Sequence, residues 1–186
     1  MQSNLYTEQF FQDRLDGTIE SARKIVPDLI DWTGCRSVID VGCGIGVWLS
    51  VFREQHIEDI WGIDGDYVDR ASLAIPADRF VAADLTSPPR IDRTFDLAIC
   101  LEVAEHLPAA SNDALIDYLT RLSPVVVFSG SIPFQDGIGH INEQWLEYWV
   151  ELFHRRNYVA VDAVRHRVWN EPTVDWWYAQ NIIIYV

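Results

Sequence analysis

The residues able to do chemistry fall in a few short stretches. The first is Ser-Val-Ile-Asp-Val-Gly-Cys-Gly-Ile-Gly-Val, residues 37–47. A β-branched run ends in three alternate glycines, Gly42, Gly44 and Gly46, and an apolar helical pattern follows at Trp48, Leu49, Val51 and Phe52. Strand, tight turn and helix make a loop whose backbone a ligand can touch. Asp40 stands two residues before Gly42. A carboxylate there would repel a pyrophosphate and attract an ammonium. The dinucleotide fingerprint also wants a small residue where Val47 stands. The charge therefore favours a cationic, phosphate-free nucleoside. S-adenosylmethionine (SAM) carries an ammonium, a sulfonium and no phosphate, and fits where NAD does not. Asp64 ends the next predicted strand, Asp59–Asp64, at the distance from the glycines at which an acid can bond ribose hydroxyls. Its alternative role is to cap the segment after Gly65.

Methyl transfer from a sulfonium is an in-line displacement, and the cofactor itself activates the methyl group. The protein must align the nucleophile and take the proton from a hydroxyl acceptor, for which histidine is the usual base near neutral pH. His140 is the first candidate, because it leaves the Gly- and Pro-rich turn 130–139. Asn142, Glu143 and Gln144 follow it, to orient the ring or hold substrate hydroxyls, unless Asn142 caps the next helix. His106 is the second candidate. Five of the eight tryptophans come after Gly139: Trp145, Trp149, Trp169, Trp176 and Trp177. Trp145 and Trp149, four apart, suit a helix with at least one in the core. Trp176 and Tyr178, near Gln180 and Asn181, suit a sugar ring or a flat aromatic acceptor.

Val-Ile-Asp-Val-Gly-Cys-Gly-Ile-Gly resembles the first motif of the class I SAM-dependent methyltransferases, and the resemblance covers most of the chain. It implies that the Asp40 carboxylate sits near the methionine amine, that Gly42, Cys43 and Gly44 pass under the cofactor, and that Asp84 and Leu85 meet the adenine. Gly65, Leu101 and Glu102 complete the expected cofactor contacts. Cys43 reads as a small residue that fits between glycines. Glu102-Val-Ala-Glu-His-Leu resembles the family's segment after strand four. Glu102, Glu105 and His106 with a later histidine, His140, also resemble the metal site of small-RNA 2′-O-methyltransferases. Mg²⁺, Mn²⁺ or Zn²⁺ there is the alternative to a protein base. The His-x-Asn-Glu-Gln and Trp-Tyr-x-Gln-Asn patterns are similar to small bacterial methyltransferases linked to glycan or secondary metabolism.

The elements that must position these residues alternate strand and helix. Helical periodicity runs from Thr7 to about Trp32, as one helix or as two with Pro27 the break or second start, and Gly34 is the stop. Strands are expected at 79–84, 94–101, 125–129, 159–168 and 182–186, with helices near 112–122 and 145–153. That order predicts a parallel sheet. With the resemblance it implies a Rossmann-like α/β fold: seven strands, mostly parallel, an antiparallel last strand inserted between the fifth and sixth, and helices on both faces. Residues 1–186 read as one domain, with 1–34 as a helical lid or packing segment.

Composition narrows the partners. The chain has 186 residues, 49% hydrophobic and 23% charged, which is ordinary for a globular protein. Its formal charge of −14 argues against a broad nucleic-acid surface. No apolar run approaches the ~20 residues of a membrane span, and the N-terminus does not read as a signal peptide. Three cysteines at no metal-like spacing read as free thiols of a reducing compartment, the cytoplasm. The expected acceptor is a small molecule, methylated at a hydroxyl. The rivals are a SAM-binding sensor or partner subunit without catalysis, and a nucleic-acid or protein methyltransferase. Nothing in the sequence fixes an oligomeric state.

Overall fold

A computed structural model describes residues 8–186, with side chains from residue 15 onward. The start of the expected leading segment, residues 1–7, lies outside the described residues. Seven strands form one sheet: β1 (Ser37–Val41), β2 (Asp59–Asp64), β3 (Phe80–Ala82), β4 (Leu97–Leu101), β5 (Val126–Ser129), β6 (Ala160–Val161) and β7 (Ile183–Tyr185), in the order 3-2-1-4-5-7-6. β1 pairs in parallel with β2 and β4, and β4 with β5. β7 runs antiparallel to both β5 and β6.

Side chains alternate between the two faces, as the strand period of two requires. Val38, Ile60, Leu97, Ile99 and Val127 face one core, under α1 (Glu8–Thr33), α2 (Val47–Glu54), α5 (Val164–Val168) and α6 (Trp176–Asn181). Ile39, Val41, Ile63, Ala98 and Phe128 face the other, under α3 (Asn112–Leu122) and α4 (Leu146–His154). β1 and β4 are buried at every position; β4 is a continuous apolar run, while β1 buries Ser37 and Asp40 among its valines and isoleucine.

One open alternative is resolved in this architecture and one expectation is corrected. Pro27 neither breaks nor restarts a helix; α1 runs through it. Ala22, Ile25, Val26 and Leu29 are buried in the first core, and their packing outweighs the ~3 kcal/mol a proline costs inside a helix. The strand expected over 159–168 is only two residues long, and its second half is α5. Val164 and Val168 are buried four apart, a helical spacing, while Val159 and Val161 are exposed. The other strands begin or end within a few residues of expectation. Trp149 is buried and Trp145 exposed. Among the described residues no helix is long and apolar enough to cross a membrane.

Strand order reverses between β1 and β4, and a ligand site is expected beyond their carboxyl ends. β7 is antiparallel, so it starts at that same edge, and α6 just before it is delivered there with Trp176, Tyr178, Gln180 and Asn181.

Candidate active site

The glycine loop leaves β1 in left-handed conformations. At Gly42 (φ 87°) a Cβ would lie 2.2 Å from Cγ2 of Val103, so both conformation and space demand glycine. At Gly44 (φ 54°) a Cβ would meet nothing within 4 Å. Glycine there serves the turn alone and leaves open space above the backbone. Asp64, buried at the end of β2, ties the loop down. Its carboxylate accepts from the amides of Gly44 and Gly65, each at 2.6 Å, and from the Tyr67 hydroxyl. Asp40 is buried in β1, and desolvation, then the Asp64 charge, holds its carboxyl well above the usual range. A cation beside it would relieve both effects. Cys43 is buried with its thiol pushed up by burial, so it is inert filling; Cys35 and Cys100 are likewise buried and free.

Two cavities open along this edge. Gly65, Tyr67, Asp84 and Leu85 line the first, of about 460 Å³. Asp84 is exposed and accepts from the amide and hydroxyl of Thr86 at 2.8 and 2.7 Å, which fixes the turn after β3. The second cavity, of about 490 Å³, gathers residues distant in sequence: Leu101, Glu102, His106, His140, Trp176 and Tyr178. Thr18 of α1 joins its wall, so the leading helix packs on the sheet and also touches the cavity.

His140 lies with its Nδ1 3.1 Å from Oε1 of Glu143. Gly137 makes room for the ring, since a Cβ there would fall 2.1 Å from His140 Cε1. His106 meets His140 edge to face, with ring centroids 5.0 Å apart. Asn142 does not cap the next helix. Buried, it donates to Ala104 O at 3.0 Å and to Asn112 Oδ1 at 2.7 Å, while Trp145 occupies the cap position of α4. Tyr178 is a buried wall residue, packed edge-on against Trp48 of α2 at 5.2 Å.

Glu102 follows β4 with φ 55°, a left-handed turn made by a side-chain-bearing residue. Its carboxylate accepts from Asn181 Nδ2 at 3.2 Å and from Gln135 Nε2 at 3.3 Å. Ser131 Oγ lies 3.0 Å from Glu105 Oε1 and 3.3 Å from Glu102 Oε2. Burial, then the Glu105 charge, pushes Glu102 up to about 7. Burial also raises Glu105. Glu105, His106 and His140 offer ligand atoms within 4.8 Å of one another; Glu102 is not in that group.

Sequence reasoning missed Gln135, Ser131, Gly137 and Tyr67. The first three belong to a loop bent by left-handed Phe134 (φ 72°) and Asp136 (φ 59°), at non-glycine positions that carry no sequence signal. Tyr67 was findable only as an aromatic three residues after Asp64.

A family model described as a methyltransferase domain matches residues 9–180. No curated protein sequence matches the chain. Among solved structures, the sugar N-methyltransferase KedS8 from Streptoalloteichus sp. has the same fold, with TM-score 0.68 and 15% identity over 100% of this chain and 97% of that one. SAM-bound CalS10, an amino pentose methyltransferase from Micromonospora echinaspora, gives 0.66 and 16% over 100% and 99%. The methyltransferase domain of bacterial CtHen1 gives 0.62 and 18% over 90% and 97%.

Proposed function

The chain belongs to the methyltransferase-domain family, and from that premise we propose that it moves the methyl group of SAM to a hydroxyl of a neutral small molecule, a sugar or a sugar-bearing metabolite. SAM is the methyl donor. Asp40, Gly42, Gly44 and Asp64 bind it, with Gly65, Asp84 and Leu85 at the nucleoside end and Leu101 and Glu102 toward the methyl group.

One observation carries the acceptor reading: His140, held by Glu143, lines the same cavity as Trp176. Glu143 holds the Nδ1 proton of His140, which leaves Nε2 with a lone pair for the acceptor. The hydroxyl oxygen attacks the methyl carbon, the carbon–sulfur bond breaks, and its electron pair stays on sulfur. The hydroxyl proton goes to Nε2, and the imidazolium is stabilised by Glu143. Trp176 and the Gln135 amide supply an apolar face and a polar rim.

A second reading concerns how the hydroxyl is activated. Glu105 Oε2 is buried without a hydrogen-bond partner among the described residues, and it stands in the Glu105–His106–His140 group. One carboxylate and two imidazoles are a donor set that fits Mn²⁺ or Zn²⁺. An ion held there would lower the pKa of a bound hydroxyl.

The test is SAM turnover to S-adenosylhomocysteine over a panel of neutral sugars and glycosides, with and without chelator. Methyl ether formation is expected. His140→Asn is expected to lower kcat about a hundredfold or more, with S-adenosylhomocysteine affinity unchanged by calorimetry. Activity lost in chelator and restored by Mn²⁺ or Zn²⁺ selects the ion. Transfer confined to amines would sink the hydroxyl reading, and binding without turnover would leave a sensor.

A further inference from the structure

Trp169 lies outside the acceptor cavity. It is 60% exposed, unusual for so large an apolar side chain. With Asn170, Glu171, Val174, Trp176 and Gln180 it lines a separate cleft of about 470 Å³. Two features join this cleft to the acceptor cavity. Trp176, 54% exposed, lines both. Gln180 also donates from Nε2 to Oε1 of Gln135, on the cavity wall, at 3.4 Å. Trp176 is thus a wall common to the cavity and the cleft.

The chemistry of the cleft selects its occupant. Its lining offers two indole rings, two carboxamides and one carboxylate, and among the described residues no Lys, Arg or His. Glu171 accepts from the Thr173 hydroxyl at 2.8 Å and pairs with Lys24 at 3.5 Å, so its charge is partly answered. The nearest cations, Lys24 beside Glu171 and Arg165 on the Gln180 carbonyl, stand outside the lining and are each paired with a carboxylate, so the lining itself favours a neutral ligand over a phosphate or carboxylate. A pyranose meets both demands, setting its C–H face on an indole and its hydroxyls on amides.

We propose that Trp169 and Trp176 flank a subsite for a second sugar ring, so that the acceptor is a neutral oligosaccharide or glycoside lying across Trp176. One ring lies at His140 and the next in the cleft. The subsite rests on the sugar reading given under the proposed function.

The experiment measures methyl transfer by the full chain to methyl glycosides of glucose, galactose and mannose, and to their α- and β-1,4-linked di- and trisaccharides. For the accepted sugar, the oligosaccharide is expected to show a KM about tenfold below that of the monosaccharide, the scale of one ring stacked on an indole. Trp169→Ala is expected to abolish that advantage while leaving kcat and KM for the monosaccharide unchanged. Trp169→Phe, which keeps a ring, is expected to restore part of it. Equal KM for short and long acceptors in the parent chain overturns the subsite and leaves the sugar reading standing, as does an equal loss on both acceptors in Trp169→Ala. Absence of transfer to every saccharide overturns the sugar reading and the subsite together.

Discussion

Glu102 concentrates the electrostatics of the site in one side chain. Its left-handed backbone costs on the order of 1 kcal/mol or more for a residue with a Cβ. The turn is held by its amide, which donates to Ser129 O at 3.2 Å and Ser129 Oγ at 3.1 Å. Burial raises its carboxyl from an ordinary 4.5 to about 7, so the folded state holds the proton more tightly than the unfolded chain does. The stability this contributes is full below about 4.5 and is lost as pH rises through about 7. Thermal unfolding of the parent chain in chelator should therefore weaken over that window, and Glu102→Gln should flatten the decline. Parallel curves would refute this. At this scale the sequence was legible where chemistry is local. The Asp40–Gly46 loop and the His140–Glu143 spacing of three residues are examples, and the structure brings His140 and Glu143 into contact. Gln135 and Ser131 were illegible, because their meeting with Glu102 depends on how a long loop folds back over β4.

At the scale of elements, the glycine loop separates two uses of glycine that look identical in sequence. Gly42→Ala forces a Cβ to 2.2 Å from Val103 Cγ2 at φ 87° and should destabilise the fold by about 2–4 kcal/mol in denaturant titration. Gly44→Ala meets no neighbour and should cost only about 1 kcal/mol. It places its methyl where the cofactor is expected, so S-adenosylhomocysteine affinity should drop in calorimetry while the fold survives. The reverse pattern would mean that the ligand passes elsewhere. Helices and strands with a strong period were readable, as in α3 and β4. Residues 159–168 were misread because valines spaced by two and by four overlap there, and only burial tells which spacing is used. Pro27 shows the same limit: a local breaker yields to a buried face that extends far on either side.

At the scale of the whole molecule, the two cores meet across a sheet whose last strand is internal. Tyr185 of β7 is fully buried and stacks on Phe153 of α4, with centroids 3.7 Å apart and planes 12° apart. Tyr185→Ala should cost about 3 kcal/mol or more by chemical denaturation. It should also weaken methyl transfer, because β7 anchors α6 and with it Trp176. Full stability in that variant would show that β7 is dispensable.

The position of β7 also bears on how the molecule is made. Among the described residues β6 bonds to no strand but β7, which comes after it in the chain. A ribosome releasing this polypeptide therefore exposes an unpaired edge at β5 until β7 emerges and wedges in, with β6 waiting beside it. Nascent chains stalled before Ile183 should bind chaperones and resist ligand protection from protease, and release of the last strand should end both at once.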